Sequence, residues 1–187
     1  MSEPKPTPGA RLIRFPETRR GNTFDAFDLT LAPNMGPAYE QCRAVADGRS
    51  WVAFLTGGPG NGKTHLACAA LLAWSGRGVF WKVPEFMGWL RGFVADGAGE
   101  YVETILANYG GAGFLLVLDD YGAHNETDWA GEQLYRLIDQ RYENRAPTIV
   151  TSNAPIERID ERVRSRLREG MVSCRGRDQR AGPAQQG

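Results

Sequence analysis

The fold is decided by one stretch of the sequence, Gly57-Gly58-Pro59-Gly60-Asn61-Gly62-Lys63-Thr64. It fits the pattern G-x-x-x-x-G-K-[ST] and lies between an apolar, strand-forming run at residues 51–56 and an Ala- and Leu-rich helical run at residues 65–75. Its glycines let successive backbone N–H groups turn towards phosphate oxygens. We expect Lys63 to bind the β- and γ-phosphates and the Thr64 hydroxyl to complete the shell of a Mg²⁺ ion. A merely tight Gly/Pro turn is the alternative, but the Lys-Thr pair in register favours a nucleotide-phosphate site.

Polar side chains follow two other predicted strands. Asp119 and Asp120 come directly after the apolar run at residues 114–118, and Asn153 follows the strand predicted at residues 148–151. Ligands of parallel α/β sheets bind at the carboxyl ends of the strands. We therefore expect Asp119 to hold Mg²⁺ through its water shell and Asp120 to polarise the water that attacks the γ-phosphate. The Asn153 amide would bond that water or the phosphate; polar turns without a ligand are the alternative for both segments.

Predicted strands and helices alternate along the rest of the chain. Further strands are predicted at residues 78–83 and 171–174, and further helices at residues 37–47, from residue 84, and at residues 101–109, 130–145 and 156–167. Such alternation implies an α/β fold with a parallel sheet covered by helices on both faces. We expect a flexible basic arm at residues 1–22, one core at residues 23–175 and a disordered tail at residues 176–187.

Composition limits the class of protein. The chain has 187 residues and no net charge, but residues 1–22 carry +3, residues 158–180 carry +4 and the middle carries −7. Two basic ends are compatible with contact to a polyanion, although solvated tails explain them equally. Three dispersed cysteines favour neither a zinc site nor a disulfide framework. With no signal peptide and no apolar run long enough to cross a bilayer, we expect a soluble cytoplasmic protein without a membrane partner.

The last predicted helix, residues 156–167, is rich in arginine. At about 100° per residue, Arg158, Arg162 and Arg166 fall on one flank of its apolar stripe, with Arg164 and Arg168 on the other. A solvated basic face is the simplest interpretation of any single arginine here. A functional role depends on the nucleotide site elsewhere in the chain.

Five segments, taken in order, resemble those of one family. They are GGPGNGKTHLA (57–67), LLVLDDYG (115–122), WAGEQLYRLIDQRYENR (129–145), PTIVTSN (147–153) and ERVRSRL (161–167). The sequence is similar to the AAA+ ATPases of the DnaC-type helicase loaders, with the IstB-type transposition helpers as close relatives. The resemblance implies a P-loop NTPase of the ASCE type, a three-layer sandwich without a full lid domain. Counted from the P-loop strand, its sheet order would be 5-1-4-3-2.

The resemblance also implies roles for residues. Asp119 and Asp120 would form Walker B, with Asp119 and Thr64 as metal ligands. Asp120, Asn153 as sensor 1 and Arg166 as the arginine finger would form the catalytic set, with Arg162 a possible second finger. The residues expected to bind the nucleotide are those of Walker A and the residue that follows it: Gly58, Pro59, Gly60, Asn61, Gly62, Lys63, Thr64 and His65.

The activity expected from these residues is hydrolysis of ATP with Mg²⁺. No Asn-Lys-x-Asp guanine-reading motif follows any strand, which favours ATP over GTP. The resemblance implies self-association through Arg166, binding of single-stranded DNA, and a replicative helicase or a transposase as partner. Two rival functions remain: an adaptor that binds ATP without hydrolysing it, and a small-molecule P-loop kinase. The kinase would need an acceptor pocket and a lid, and the sequence indicates neither.

Overall fold

The structure, a computed structural model, describes residues 12–30, 32–122 and 127–174. Its centre is a six-stranded parallel sheet in the order β1-β3-β4-β5-β2-β6. The strands are β1 Leu12–Arg14, β2 Val52–Thr56, β3 Gly78–Lys82, β4 Leu115–Tyr121, β5 Thr148–Ser152 and β6 Met171–Ser173. The predicted order 5-1-4-3-2 is confirmed as β6-β2-β5-β4-β3, and β1 extends the sheet beyond β3.

Helices cover both faces of the sheet. They are α1 Gly36–Ala46, α2 Lys63–Ala73, α3 Val83–Ala95, α4 Glu100–Gly110, α5 Asp128–Glu143 and α6 Glu161–Leu167. Side chains of the central strands alternate between the two faces: Ala53 and Leu55 of β2 pack towards α1 and α2, and Val52 and Phe54 towards the other helices. Because these strands are buried on both sides, their sequences are continuous apolar runs. No described helix has the length and apolarity needed to cross a bilayer.

The N-terminal arm is the first point at which the structure differs from the sequence prediction. Residues 12–22 are part of the folded domain, because Leu12–Arg14 pairs with β3 and the Phe15 ring meets Phe80 edge-on at 6.3 Å between centroids. Arg14 lies 3.6 Å above the Trp81 ring. The core therefore begins before residue 23, because β3 offers an open edge and an aromatic surface to the arm. The rest of the predicted arm and the predicted tail lie outside the described residues.

The predicted helix over residues 156–167 is also wrong in part. Residues Ile156–Arg158 form a separate 3-10 helix, and α6 begins only at Glu161. The side chain of Asp160 accepts a hydrogen bond from the Arg162 backbone N–H at 2.8 Å, which caps α6 and ends the periodic pattern before it. Arg158 consequently does not share a helix face with Arg162 and Arg166.

Candidate nucleotide-binding site

The P-loop lies between β2 and α2, at the carboxyl edge of the sheet. Two of its glycines have no room for a side chain. A Cβ on Gly57 would lie 2.1 Å from the Cys174 carbonyl oxygen, and one on Gly62 would lie 2.6 Å from the Phe27 ring. Both glycines also have positive φ, 138° and 98°. The glycine pattern is therefore required by the close approach of neighbouring segments as well as by the curl of the loop.

Lys63 directs its ammonium group into the loop. The side chain is 5% exposed and donates hydrogen bonds to the Gly57 and Gly58 carbonyls at 2.7 and 2.6 Å. It also donates to Asn61 Oδ1 at 3.0 Å, and Asn61 Nδ2 in turn donates to the Cys174 carbonyl at 3.0 Å. Asn61 thus joins the lysine to the end of β6 and holds the cation at the position where a phosphate chain would enter.

Asp119 lies beside the P-loop, as the sequence predicts. Its Oδ1 accepts hydrogen bonds from the Thr64 hydroxyl at 2.8 Å and the Thr151 hydroxyl at 2.7 Å. The carboxylate is 4% exposed, and neutral hydroxyls satisfy it in the dry end of the sheet. A carboxylate beside a hydroxyl is a set of hard oxygen donors, which is the kind that Mg²⁺ prefers. Among the described residues no group of three or more His, Cys, Asp or Glu could hold a metal, so the ion would need phosphate oxygens as further ligands.

Asp120 and Asn153 meet at the same edge of the sheet. Asp120 has a φ of 65°, an uncommon conformation for a residue other than glycine, and its N–H donates to Thr151 Oγ1 at 3.1 Å. The β4–β5 register shifts at this point, between Leu118 and Tyr121. At this irregular position of β4 the Asp120 carboxylate lies next to Asn153, whose Nδ2 donates to it at 2.8 Å. The structure thus brings together the two residues that the sequence assigned to handling the attacking water.

A cavity of about 230 Å³ opens beside the P-loop and Asn153. Residues 59–65 and Asn153 line it, and so do Arg19 and Asn22 of the N-terminal segment. Neither Arg19 nor Asn22 was predicted, because both stand in a polar, proline-rich stretch without periodicity. The role of Thr151, whose hydroxyl lies between Asp119 and the backbone of Asp120, was not predicted either.

The His65 side chain contacts the N-terminal segment, which the local sequence could not predict. Its Nε2 donates to the Thr23 carbonyl at 2.8 Å, and its ring meets Phe27 edge-on at 5.2 Å between centroids. His65 lines the cavity and at the same time fastens the N-terminal segment to the start of α2.

Arg166 lies away from this cavity. Its Nε donates to Asp139 of α5 at 2.6 Å, and its guanidinium lies 5.2 Å from the Tyr142 ring centre. The hydrogen bond that Arg166 donates to Asp139 is the main cause that raises the pKa of Arg166. Arg162 is held in the same manner, by Asp160 and Glu132. The resemblance implies a finger that projects from its subunit, whereas here the guanidinium is paired within its own chain.

Comparisons with known proteins find chains of similar sequence and of similar fold. The family model described as IstB-like ATP binding protein matches residues 11–166. A protein of Sinorhizobium fredii named as an insertion sequence ATP-binding protein is 31% identical over 143 residues, which cover 72% of this chain and 46% of that protein. The XkdC protein of the phage-like element PBSX in Bacillus subtilis is 32% identical over 154 residues, 78% of this chain and 55% of that protein. This chain thus spans about half the length of these curated relatives.

The fold has solved counterparts. The crystal structure of the DnaC helicase loader aligns with a TM-score of 0.69 at 24% identity and covers 85% of this chain and 98% of that one. The replication initiator DnaA, solved with AMPPCP and single-stranded DNA, aligns with a TM-score of 0.71 at 20% identity, covering 84% of this chain and 51% of that one. At these identities the likeness concerns the AAA+ P-loop fold.

Proposed function

The chain belongs to the family of IstB-like ATP-binding proteins, and from that premise we propose that it is an ATP-hydrolysing switch acting on DNA, in helicase loading or transposition. One observation carries the proposal. Lys63, Thr64 and Asn153 line one cavity at the carboxyl edge of the sheet. Thr64 is hydrogen-bonded to Asp119, and Asn153 forms a pair with Asp120. A site that only bound a nucleotide would not require the last pair.

The residues fit ATP with Mg²⁺. The Lys63 ammonium, now on loop carbonyls, would move to the β- and γ-phosphates, which are stronger acceptors. Thr64 and Asp119 would hold Mg²⁺, with Thr151 orienting the Asp119 carboxylate from behind. Bound there, the metal ion neutralises charge on the phosphate oxygens. The chain's own part is to orient the triphosphate and to exclude the bulk solvent that would screen these charges.

Hydrolysis would depend on Asp120 and Asn153. Water attacks the γ-phosphorus while the bond to the bridging oxygen breaks, giving ADP and phosphate. Asp120 would accept a hydrogen bond from that water, and later its proton, and Asn153 would fix the carboxylate and contact the γ-phosphate. Arg166 would supply positive charge from a neighbouring copy, which requires its bond to Asp139 to break on assembly.

The proposed partners follow from the relatives. One relative is named for an insertion sequence, one structural counterpart is a helicase loader, and another was solved with single-stranded DNA. The net charge of +4 over residues 158–180 supports contact with a polyanion. We therefore propose single-stranded DNA, a second copy of the chain, and a replicative helicase or transposase as partners.

A second candidate function, an ATP-switched adaptor without hydrolysis, is favoured by one observation. The two residues needed for turnover are each engaged within the chain, Asp120 by Asn153 and Arg166 by Asp139. If those bonds persist in the assembly, ATP would be bound and not cleaved.

Turnover measured against protein concentration decides between the two functions. We expect release of phosphate from Mg²⁺-ATP, with a rate per subunit that rises with protein concentration and with added single-stranded DNA. DNA binding, followed by anisotropy of a labelled oligonucleotide, should depend on ATP and weaken linearly in log affinity against log salt. Tight ATP binding without phosphate release under any of these conditions would establish the adaptor instead.

A further inference from the structure

Residues 15–30, which follow β1, form a wall of the nucleotide cavity through Arg19 and Asn22. This segment leaves β1 at the carboxyl edge of the sheet and forms the 3-10 helix Glu17–Arg19. It then reaches the start of α2, where the Thr23 carbonyl accepts the His65 hydrogen bond and Phe27 fills the space beside Gly62. Contacts at both ends therefore position what lies between them.

Arg19 is the charged residue of this segment that lines the cavity, together with Lys63 and Thr64. Its side chain is half-buried, and within the described ranges no carboxylate lies at ion-pair distance from its guanidinium. The adjacent Arg20 has the opposite environment, exposed and paired with Glu17 through bonds of 2.5 and 2.8 Å. Two arginines that the sequence cannot tell apart are thus assigned to different environments by the fold.

The position of Arg19 relative to α2 indicates which end of a nucleotide it would face. Cys68 lies one helical turn after Thr64. Burial raises the pKa of its thiol to about 12, the Asp119 carboxylate adds to the rise, and the Arg19 guanidinium opposes it. Arg19 also lines the same cavity as Thr64 and Asn153, the residues proposed to act at Mg²⁺ and at the γ-phosphate, which places it towards the terminal phosphates of a bound nucleotide.

We propose that Arg19 binds the terminal phosphate of a nucleoside triphosphate from within the same chain, as a second cation beside Lys63. The proposal rests on the function proposed above. A triphosphate carries three to four negative charges, and an arginine presents a planar set of donors that can engage one phosphate through two oxygens. Arg162 and Arg166 form ion pairs with acidic residues of α5. Among the arginines that the structure describes, Arg19 is the one that lines the cavity.

The test compares ATP with ADP in matched variants. Affinities for both nucleotides are measured by competition against a fluorescent ATP analogue, in the full chain with Mg²⁺. For Arg19→Gln we expect ATP to bind about 10- to 100-fold more weakly, the value of one charge-assisted contact, and ADP to weaken less than about threefold. Arg20→Gln should bind both nucleotides as the unaltered protein does, and Arg19→Lys should retain part of the preference for ATP.

The possible results distinguish failure of the Arg19 assignment from failure of the proposed function. Unchanged ATP affinity in Arg19→Gln, or equal losses for ATP and ADP, would overturn the assignment of Arg19 while the proposed function stands. If the unaltered protein binds neither nucleotide, the proposed function fails first and the inference with it. Thermal unfolding checks that each variant is folded. Should Arg19→Gln unfold, the ATP-to-ADP preference of Arg19→Lys decides: a several-fold fall supports the contact, and an unchanged ratio refutes it.

Discussion

The two edges of the parallel sheet each contain a buried cation, and the two cations have different hydrogen-bonding environments. At the carboxyl edge, Lys63 donates to oxygens of the P-loop beside an open cavity. At the amino edge, Arg141 of α5 donates to four carbonyls and a hydroxyl in the segments that lead into β4 and β5. These acceptors are Tyr109 O, Gly111 O, Phe114 O, Pro147 O and Thr148 Oγ1. The side chains are 5% and 1% exposed, so burial alone does not distinguish them.

What distinguishes them is whether their acceptors can be exchanged. Lys63 reaches three loop oxygens that a phosphate entering the cavity can replace. Arg141 is enclosed, its acceptors are fixed by the starts of two strands, and burial lowers its pKa to about 9. We therefore expect Lys63 to serve nucleotide binding, whereas Arg141 supplies donors to backbone carbonyls that have no regular backbone partners. The comparison leads to four predictions, in order of decreasing effect.

Removing the cation at the carboxyl edge should abolish ATP binding. For Lys63→Ala we expect a loss of about 3–6 kcal/mol, or roughly 10²- to 10⁴-fold in affinity, because charge-assisted bonds to two phosphates disappear. Titration with a fluorescent ATP analogue measures it, and thermal unfolding should change little. The matched control is Lys82→Ala, an exposed lysine at the end of β3. Undiminished affinity in Lys63→Ala would remove the P-loop assignment.

Removing the cation at the amino edge should have the opposite profile. For Arg141→Met we expect the free energy of unfolding to fall by about 3–4 kcal/mol, because one buried and four half-buried oxygens lose their donor. The folded fraction should bind ATP with normal affinity. Arg145→Met, which breaks an exposed pair with Glu169, should cost about 0–1 kcal/mol. Denaturant unfolding compares the two; equal small losses would mean that water replaces the guanidinium at no cost.

The third prediction assigns different roles to the two aspartates of the acidic pair at the carboxyl edge. Asp120→Asn should lower turnover by about 100-fold, the lower limit for a positioned general base, and leave ATP affinity unchanged. Asparagine tolerates positive φ, so the backbone turn at 65° should survive. Asp119→Asn should instead raise the Mg²⁺ concentration needed for ATP binding. Both are measured by phosphate release and Mg²⁺ titration, and identical behaviour of the two variants would refute the division of roles.

The smallest effect tests whether a second molecule completes the site. Arg166 lies outside the cavity, so Arg166→Ala should slow hydrolysis only if that residue acts on a neighbouring copy. We expect about a tenfold loss, below the ~10³–10⁵ of other arginine fingers, because Asp139 competes for the guanidinium. Mixing Arg166→Ala with Lys63→Ala should restore part of the activity, and Arg168→Ala is the control. No rescue, with a rate per subunit that is constant on dilution, would assign Arg166 to packing alone.

Much of the carboxyl edge could be predicted from the sequence, because its chemistry depends on short spacings. Lys63 and Thr64 must stand at the start of a helix, and an acidic pair such as Asp119 and Asp120 is costly next to a dry strand unless it has a role. The structure extends that strand through both aspartates, to Tyr121. The amino edge was not predictable in this way. Arg141 stands one turn after Leu137 and Ile138 in a helix with many charged residues, and local sequence does not indicate that it is buried.

The two wrong predictions, a flexible arm up to residue 22 and one helix over residues 156–167, have the same cause. The strand Leu12–Arg14 forms because the edge of β3 is open to pairing. The local sequence of this polar, proline-rich segment does not predict that pairing. The helix breaks before α6 because the Asp160 side chain caps α6, although the apolar stripe continues across the break. Such a cap stabilises a helix start by about 1 kcal/mol, a difference that hydrophobic periodicity does not resolve. Such outcomes depend on partners that are distant in sequence.

The sequence by itself determined the α/β class and predicted the phosphate loop and the acidic pair, because these depend on residues that act on their immediate neighbours in the chain. The order of the strands was implied only by the resemblance to a family. Only the tertiary structure decided that Arg19 faces the cavity while Arg20 pairs with Glu17, that Arg141 is enclosed, and that Arg166 is held by Asp139. The reason is physical: the environment of a long charged side chain is set by groups that reach it through space, and folding alone brings those groups together.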